Sequence, residues 1–185
     1  MSVTTVHLIR HGQSEFNAAF DSIKRVDPMI FDSRLTELGR AQAARLADRA
    51  RWAKVELVVA SPLTRAIETA HLAFDGHKVP WRVEALHRER AEHSGDIGRR
   101  TQALKADFPH LDFDHLDDRW WHHDPARPDA IAVESEEHLL SRVATFREWL
   151  IDRHEREIAV VGHGTFLNRL TGRHFQNCEV VTLEF

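Results

Sequence analysis

Val3-Thr4-Thr5-Val6-His7-Leu8-Ile9-Arg10-His11-Gly12 is the stretch on which the fold turns. Val3 to Ile9 is short, apolar and β-branched, and reads as a buried strand. The run then delivers an arginine and a histidine side by side at the strand's mouth, a poor choice for a packed core. Three more apolar runs follow along the chain: Leu57 to Ala60, Trp81 to Leu86, and Ile158 to Val161. Each leads into a polar motif of its own. These are Ser61-Pro62-Leu63-Thr64-Arg65, then Arg88-Glu89, then Gly162-His163-Gly164. Glu179 to Phe185 reads as a final strand.

Helical patterns separate the strands. Thr36 is placed to cap a helix with a small face of Gly39, Ala43, Ala47 and Ala50, flanked by Leu38 and Leu46. Ser61-Pro62 reads as a cap followed by proline in the first turn, with Leu63, Ala66, Ile67, Ala70 and Phe74 behind it. Leu139, Leu140, Val143, Phe146, Trp149 and Leu150 make one apolar stripe at helical spacing. Strand alternating with helix predicts an α/β fold, a three-layer sandwich whose central sheet is mostly parallel with helices on both faces. Ligands in such sheets sit off the carboxyl ends of the strands. All four motifs fall there, so residues far apart in sequence are expected to share one cleft.

The 185 residues fit a single domain, 1–185, with enough chain for a full core. Residues 87–133 are rich in Asp, His and Arg with three prolines, and read as an excursion over the cleft. A net charge of −4 makes nucleic acid a poor partner, and no apolar stretch reaches membrane length. Met1 to Arg10 lacks the basic start and long apolar core of a signal peptide. Cys178 is the only cysteine, which excludes an internal disulfide and fits a reducing, cytoplasmic setting.

These residue types suit phosphoryl transfer. A phosphoryl group spreads its charge over peripheral oxygens, and it is attacked in line with the leaving group. Arg10 and Arg65 offer forked, permanent cations. His163, if protonated, adds a third cationic donor. His11 is then the nucleophile, with one neutral ring nitrogen aimed at phosphorus and the other held by a backbone carbonyl. Glu89 is the natural proton donor to the leaving alkoxide, and later the base for water, with Asp96 and Glu92 as fallbacks.

The chain resembles the histidine phosphatase superfamily, the phosphoglycerate-mutase-like proteins. Arg10-His11-Gly12-Gln13-Ser14-Glu15-Phe16-Asn17 is similar to the family's signature. Leu35 to Ala43, Ser61 to Arg65 with Ala66, Glu68 and Thr69, and Val160 to Gly164 resemble its later motifs. The resemblance implies that His11 is phosphorylated, that Arg10, Arg65 and His163 hold the phosphate, and that Glu89 is the acid. It adds Asn17 and Gly164 to the substrate-binding groups. Arg88-Glu89-Arg90, Arg99-Arg100, Phe108-Pro109 and Trp120-Trp121 resemble elements of a mutase-like branch found in plants and fungi. Mutases of this family carry a tyrosine shortly after the acid and a tail over the site. This sequence has no tyrosine and ends at Phe185, and its Glu134-Ser135 is a shortened form of a family element.

The expectation is a phosphatase that hydrolyses a small phosphorylated substrate, with no cofactor and no metal. A phosphomutase and a catalytically weak module that binds phosphorylated ligands are the alternatives. Each motif alone has a structural reading: a helix cap, a surface carboxylate, a tight turn. Their order, each at a strand end, carries the catalytic one. The 14 histidines, His7, His122 and His123 among them, come without a cysteine cluster or a His-Glu-x-x-His helix. Trp120 and Trp121 read as packing. Arg88, Arg90, Arg99 and Arg100 read as a solvated basic face, or else as a seat for a second anion.

Overall fold

The computed structural model describes residues 4–48, 50–128 and 130–185. Five strands form one sheet: β1 (Thr5–Arg10), β2 (Leu57–Ala60), β3 (Trp81–Val83), β4 (Glu157–Gly162) and β5 (Val180–Glu184). Their spatial order is β3-β2-β4-β1-β5, parallel except for β5, which runs antiparallel to β1. The helices are α1 (Glu15–Ser22), α2 (Glu37–Ala44), α3 (Thr64–Ala73), α4 (Thr101–Asp107), α5 (Glu136–Ile151) and α6 (Gly164–Thr171). Strand residues alternate between the faces. Ile9, Val58 and Ala60 pack with α3 and Trp52, whereas Val6, Leu8 and Val59 pack with α5 and α6. The result is the expected three-layer α/β sandwich.

Local chemistry moves several boundaries. Thr36 does cap α2, accepting from the Gly39 N–H at 3.0 Å, but the helix ends at Ala44, short of Ala47 and Ala50. Asp48 accepts from the Ala50 N–H at 2.9 Å, a turn that competes with helix continuation. Leu38 faces solvent, while Leu46 is buried. The run at Trp81 stops at Val83 because the Glu84 carboxylate takes the Leu86 N–H at 3.1 Å. Val3, the first residue of the opening run, lies outside the described residues.

Ser61 is not the cap of α3. The N-cap position is Leu63, and the cap comes from elsewhere in the chain. Asp32 accepts the Thr64 N–H at 2.8 Å and the Thr64 hydroxyl at 2.6 Å. Residues 87–133 divide in two. Glu89 to Asp96 border the cleft, while Phe108, Phe113, Trp120 and Trp121 enter the core beside α3. Among the described residues, no helix is long and apolar enough to cross a membrane.

Candidate active site

The carboxyl ends of β1, β2 and β4 supply the centre of the cleft. β1 ends in Arg10 and hands the chain to His11, which is 3% exposed. The Nδ1 of His11 lies 2.7 Å from the Gly12 carbonyl oxygen, and Arg65 Nε donates to its Nε2 at 3.2 Å. The carbonyl requires the proton on Nδ1, which leaves a lone pair on Nε2. Burial, reinforced by the Arg65 and Arg10 charges, holds His11 well below the usual histidine range. His11 is therefore neutral, and Nε2 is its nucleophilic atom.

Backbone contacts fix the loop. The Gly12 N–H donates to Thr69 Oγ1 at 3.0 Å, and the Asn177 amide donates to the His11 carbonyl at 2.8 Å. A Cβ on Gly12 would lie 2.6 Å from the Gly39 carbonyl oxygen, so only glycine lets this loop and α2 touch.

Arg65 enters from the first turn of α3. It also donates to the Gly95 carbonyl, and its Nη2 reaches Asp96 at 3.2 Å. Arg10 donates from Nη1 to the Phe175 carbonyl at 2.7 Å, and its Nε is buried with no partner. A Cβ on Gly164 would stand 3.3 Å from that Nε, so the glycine gives Arg10 its room. His163 follows β4, with its ring centroid 5.2 Å from that of His11. Ser61 Oγ sits 2.8 Å from His163 Nε2, and His163 Nδ1 is buried without a partner. The sequence reading offered His163 as a cation. Burial, together with the Arg65 charge, instead holds it well below the usual range, so it is neutral.

Glu89 reaches the same cleft from the segment after β3. One carboxylate oxygen accepts the Arg90 N–H at 2.9 Å and the Phe166 N–H at 3.1 Å, and the other accepts the Thr165 N–H at 3.0 Å. It thus sits on the N-terminus of α6, where the helix dipole favours a negative group. Asp96, the fallback acid, is also in the lining. Burial raises its pKa to about 6, with Glu89 adding to the rise and Arg65 opposing it. Asn17 borders the cleft and makes a capping box with Ser14. All seven residues expected from the sequence thus lie in one place: Arg10, His11, Asn17, Arg65, Glu89, His163 and Gly164.

The other basic residues are occupied. Arg99 pairs with Asp32 at 2.8 Å and with Asp107 at 2.9 Å, and Arg100 pairs with Asp118. Arg90 pairs with Glu92 at 2.9 Å and with Glu136 at 3.3 Å. Arg88 is buried against Glu134 at 3.5 Å. Glu134 is the hub of a closed network. Arg142 binds it through Nε at 2.8 Å and Nη2 at 2.7 Å, and His138 Nδ1 lies 2.5 Å away. Burial alone would raise the Glu134 pKa, but the Arg142 bonds outweigh it and bring it to about 2.

His122, Glu134 and His138 could offer ligand atoms within 4.8 Å of one another. The carboxylate there is already neutralised by guanidinium groups, which is unfavourable for a cation. Sequence reasoning missed Asp32 and Asn177. Their partners lie 32 and 166 residues away, and neither belongs to a local pattern.

The chain belongs to the histidine phosphatase superfamily, branch 1, whose sequence model matches residues 6–183. A phosphoglycerate mutase-like protein of Arabidopsis thaliana is 31% identical, aligned over 94% of this chain and 76% of that protein. The glucosyl-3-phosphoglycerate phosphatase of Mycobacterium tuberculosis (strain H37Rv) is 31% identical over 89% of this chain and 72% of its own. The solved structure of a mycobacterial glucosyl-3-phosphoglycerate phosphatase shares the fold. Its TM-score is 0.63 at 21% identity, covering 98% of this chain and 90% of that one.

Proposed function

We propose that this protein hydrolyses phosphate monoesters through a phosphohistidine formed on His11, without a metal ion. The observation that carries the reading is the state of the His11 ring. It is buried and neutral, its Nδ1–H is tied to the Gly12 carbonyl, and its Nε2 lone pair is presented beside Arg65. Arg10 Nε and His163 Nδ1 are buried beside it without partners, which is costly unless a ligand completes them.

In the first step Nε2 bonds to phosphorus as the ester oxygen departs. Arg65 turns its Nε–H from the histidine to a phosphoryl oxygen, and Arg10 meets another. Glu89, protonated as the phosphate dianion brings negative charge into the cleft, gives that proton to the departing oxygen. In the second step Glu89 takes a proton from water, the water oxygen bonds to phosphorus, and the P–N bond breaks. Inorganic phosphate leaves and His11 is restored. Water is favoured over a second hydroxyl as acceptor because Arg88, Arg90, Arg99 and Arg100 are held by carboxylates and leave no ready seat for a bisphosphate. The cleft residues and the family support a small phosphorylated metabolite as substrate, and the lone cysteine fits a reducing, cytoplasmic setting. The mycobacterial phosphatase relative favours hydrolysis over isomerisation.

The test is a denaturing quench with labelled substrate. An acid-labile, base-stable phosphoenzyme is expected, absent in His11→Ala together with turnover. Labelling that persists in the variant refutes the assignment. Activity abolished by EDTA and restored by Mg²⁺ or Zn²⁺ refutes metal independence.

A further inference from the structure

The cleft runs on beyond the phosphate end, and its remaining lining carries a distinct chemistry. The cavity measures about 410 Å³, a size typical of small-molecule sites. Phe16, Phe20 and His93 form one aromatic cluster in that lining. The two phenyl rings stack at 5.3 Å, and Phe20 meets His93 edge-on at 4.9 Å. Phe20 is half-buried, so part of it remains open to a ligand.

Four guanidinium groups and four carboxylates line the cleft, and a phosphate group draws on two of the guanidinium groups. Apart from Arg10 and Arg65, the lining cations are Arg25 and Arg90, against the carboxylates of Asp21, Glu89, Glu92 and Asp96. Arg90 is committed to Glu92 and Glu136. Asp21 is exposed like Arg25 and has no ion-pair partner among the described residues, and its charge reaches Arg10. Once a phosphate group draws on Arg10 and Arg65, Arg25 is the one lining guanidinium outside an ion pair among the described residues, and it stands on the exposed rim. A second anionic group on the ligand would therefore enter a field of like charge. Hydroxyl groups meet the opposite situation, since carboxylates accept their protons and side-chain amides both accept and donate. Gln13, Asn17, Gln176 and Asn177 supply such amides. An aromatic ring beside carboxylates and amides matches a sugar, which offers an apolar C–H face and a rim of hydroxyls.

We propose that the cleft selects phosphate monoesters of uncharged polyols, up to about the size of a hexose, and turns away leaving groups that carry a carboxylate or a second phosphate. This rests on the phosphatase reading above and names its substrate class. Asp21 and Phe20 are then specificity-determining residues, one by charge and one by its ring.

The test measures phosphate release by the full chain on matched pairs. Glucose 6-phosphate is set against 6-phosphogluconate, and glycerol 3-phosphate against 3-phosphoglycerate, with p-nitrophenyl phosphate as reference. The neutral member of each pair is expected to have a kcat/KM higher by about tenfold or more, the order set by like-charge repulsion. Asp21→Lys is expected to narrow that ratio severalfold by raising the rate on the acidic members. Phe20→Ala is expected to weaken glucose 6-phosphate more than glycerol 3-phosphate. Ratios near one, ratios favouring the acidic member, or ratios untouched by Asp21→Lys overturn the proposal, as does a preference for phosphoethanolamine over every polyol ester. If p-nitrophenyl phosphate is hydrolysed while the ratios are flat, only the selectivity is wrong. If no ester is hydrolysed and no phosphohistidine forms, the catalytic reading fails and the selectivity falls with it.

Discussion

Two clusters of buried charge stand on this fold, and they are built on opposite plans. Around Glu134, anion and cations close on one another. Arg142 takes both carboxylate oxygens and is 6% exposed, Arg88 and His138 complete the ring, and Arg142 also donates to the Leu86 carbonyl at 2.6 Å. Around His11 the network is open. Two buried histidines are neutral, and Arg10 Nε and His163 Nδ1 have no partner. Unpartnered buried polar atoms are costly; the Glu134 cluster leaves one, Arg88 Nε, beside its ion pairs, whereas at His11 two such atoms face the same cleft. The closed cluster suits stability and the open one the proposed chemistry, although both draw on Arg, Glu and His.

That contrast can be broken most forcefully at the open cluster. Glu89→Gln is expected to slow hydrolysis of alkyl phosphates by about 100- to 10,000-fold, the span of a general acid. Esters of p-nitrophenol should lose much less, because that leaving group departs without a proton. Steady-state rates on both esters decide it, and equal losses would move the role to Asp96.

At the closed cluster, Glu134→Ala should cost about 3–5 kcal/mol of stability, because Arg142 is left as an uncompensated buried charge. Urea denaturation followed by fluorescence reads this directly. A change below about 1 kcal/mol would mean that the network is not closed in solution.

Acid should act through the histidines. His87 is fully buried behind β4, with its Nε2 3.1 Å from the Val161 carbonyl oxygen, and burial brings its pKa down from 6.5 to about 4. The unfolded chain binds that proton first, so stability is full above pH 6.5 and falls as pH drops towards 4. The loss expected from this one group is on the order of 3 kcal/mol. His11 and His163, also lowered, steepen the fall in the same direction. Glu134 adds a separate loss only as pH falls from about 4.5 through about 2. Denaturation midpoints between pH 7 and pH 4 test this, and His87→Leu should flatten the profile.

The smallest effect lies between the two clusters. Thr64→Val removes the hydroxyl that Asp32 accepts while leaving the backbone N–H bond in place. The hydroxyl also accepts from Arg99 Nη2 at 2.9 Å, so two hydrogen bonds are lost and about 1–2 kcal/mol is expected. A thermal melt of the variant measures it.

Much of the open cluster was legible in the chain. Arg10-His11, Arg65, Glu89 and His163 each follow an apolar run, and a parallel sheet necessarily gathers the ends of such runs. The closed cluster was not legible. Arg88 and Arg99 read as part of a basic face because their carboxylate partners, Glu134 and Asp32, lie tens of residues away. The Ser61 reading failed for the same reason. Ser-Pro before a helix resembles a local cap, but Asp32 holds the helix and Ser61 turns to His163. The polar stretch 87–133 likewise hid Phe113, whose burial no periodic pattern announces, although Trp120 was read as packing and is buried.

The sequence by itself determined the order of the strands and of helices α2, α3 and α5, a mostly parallel sheet, and the identity of the residues at its carboxyl edge. Those follow from periodicity and chain connectivity, which are local. Tertiary structure decided which nitrogen of His11 is free, that His163 is neutral, and which arginines are spent on carboxylates. Those depend on desolvation and on distances between residues far apart in the chain, and both are set only when the layers pack.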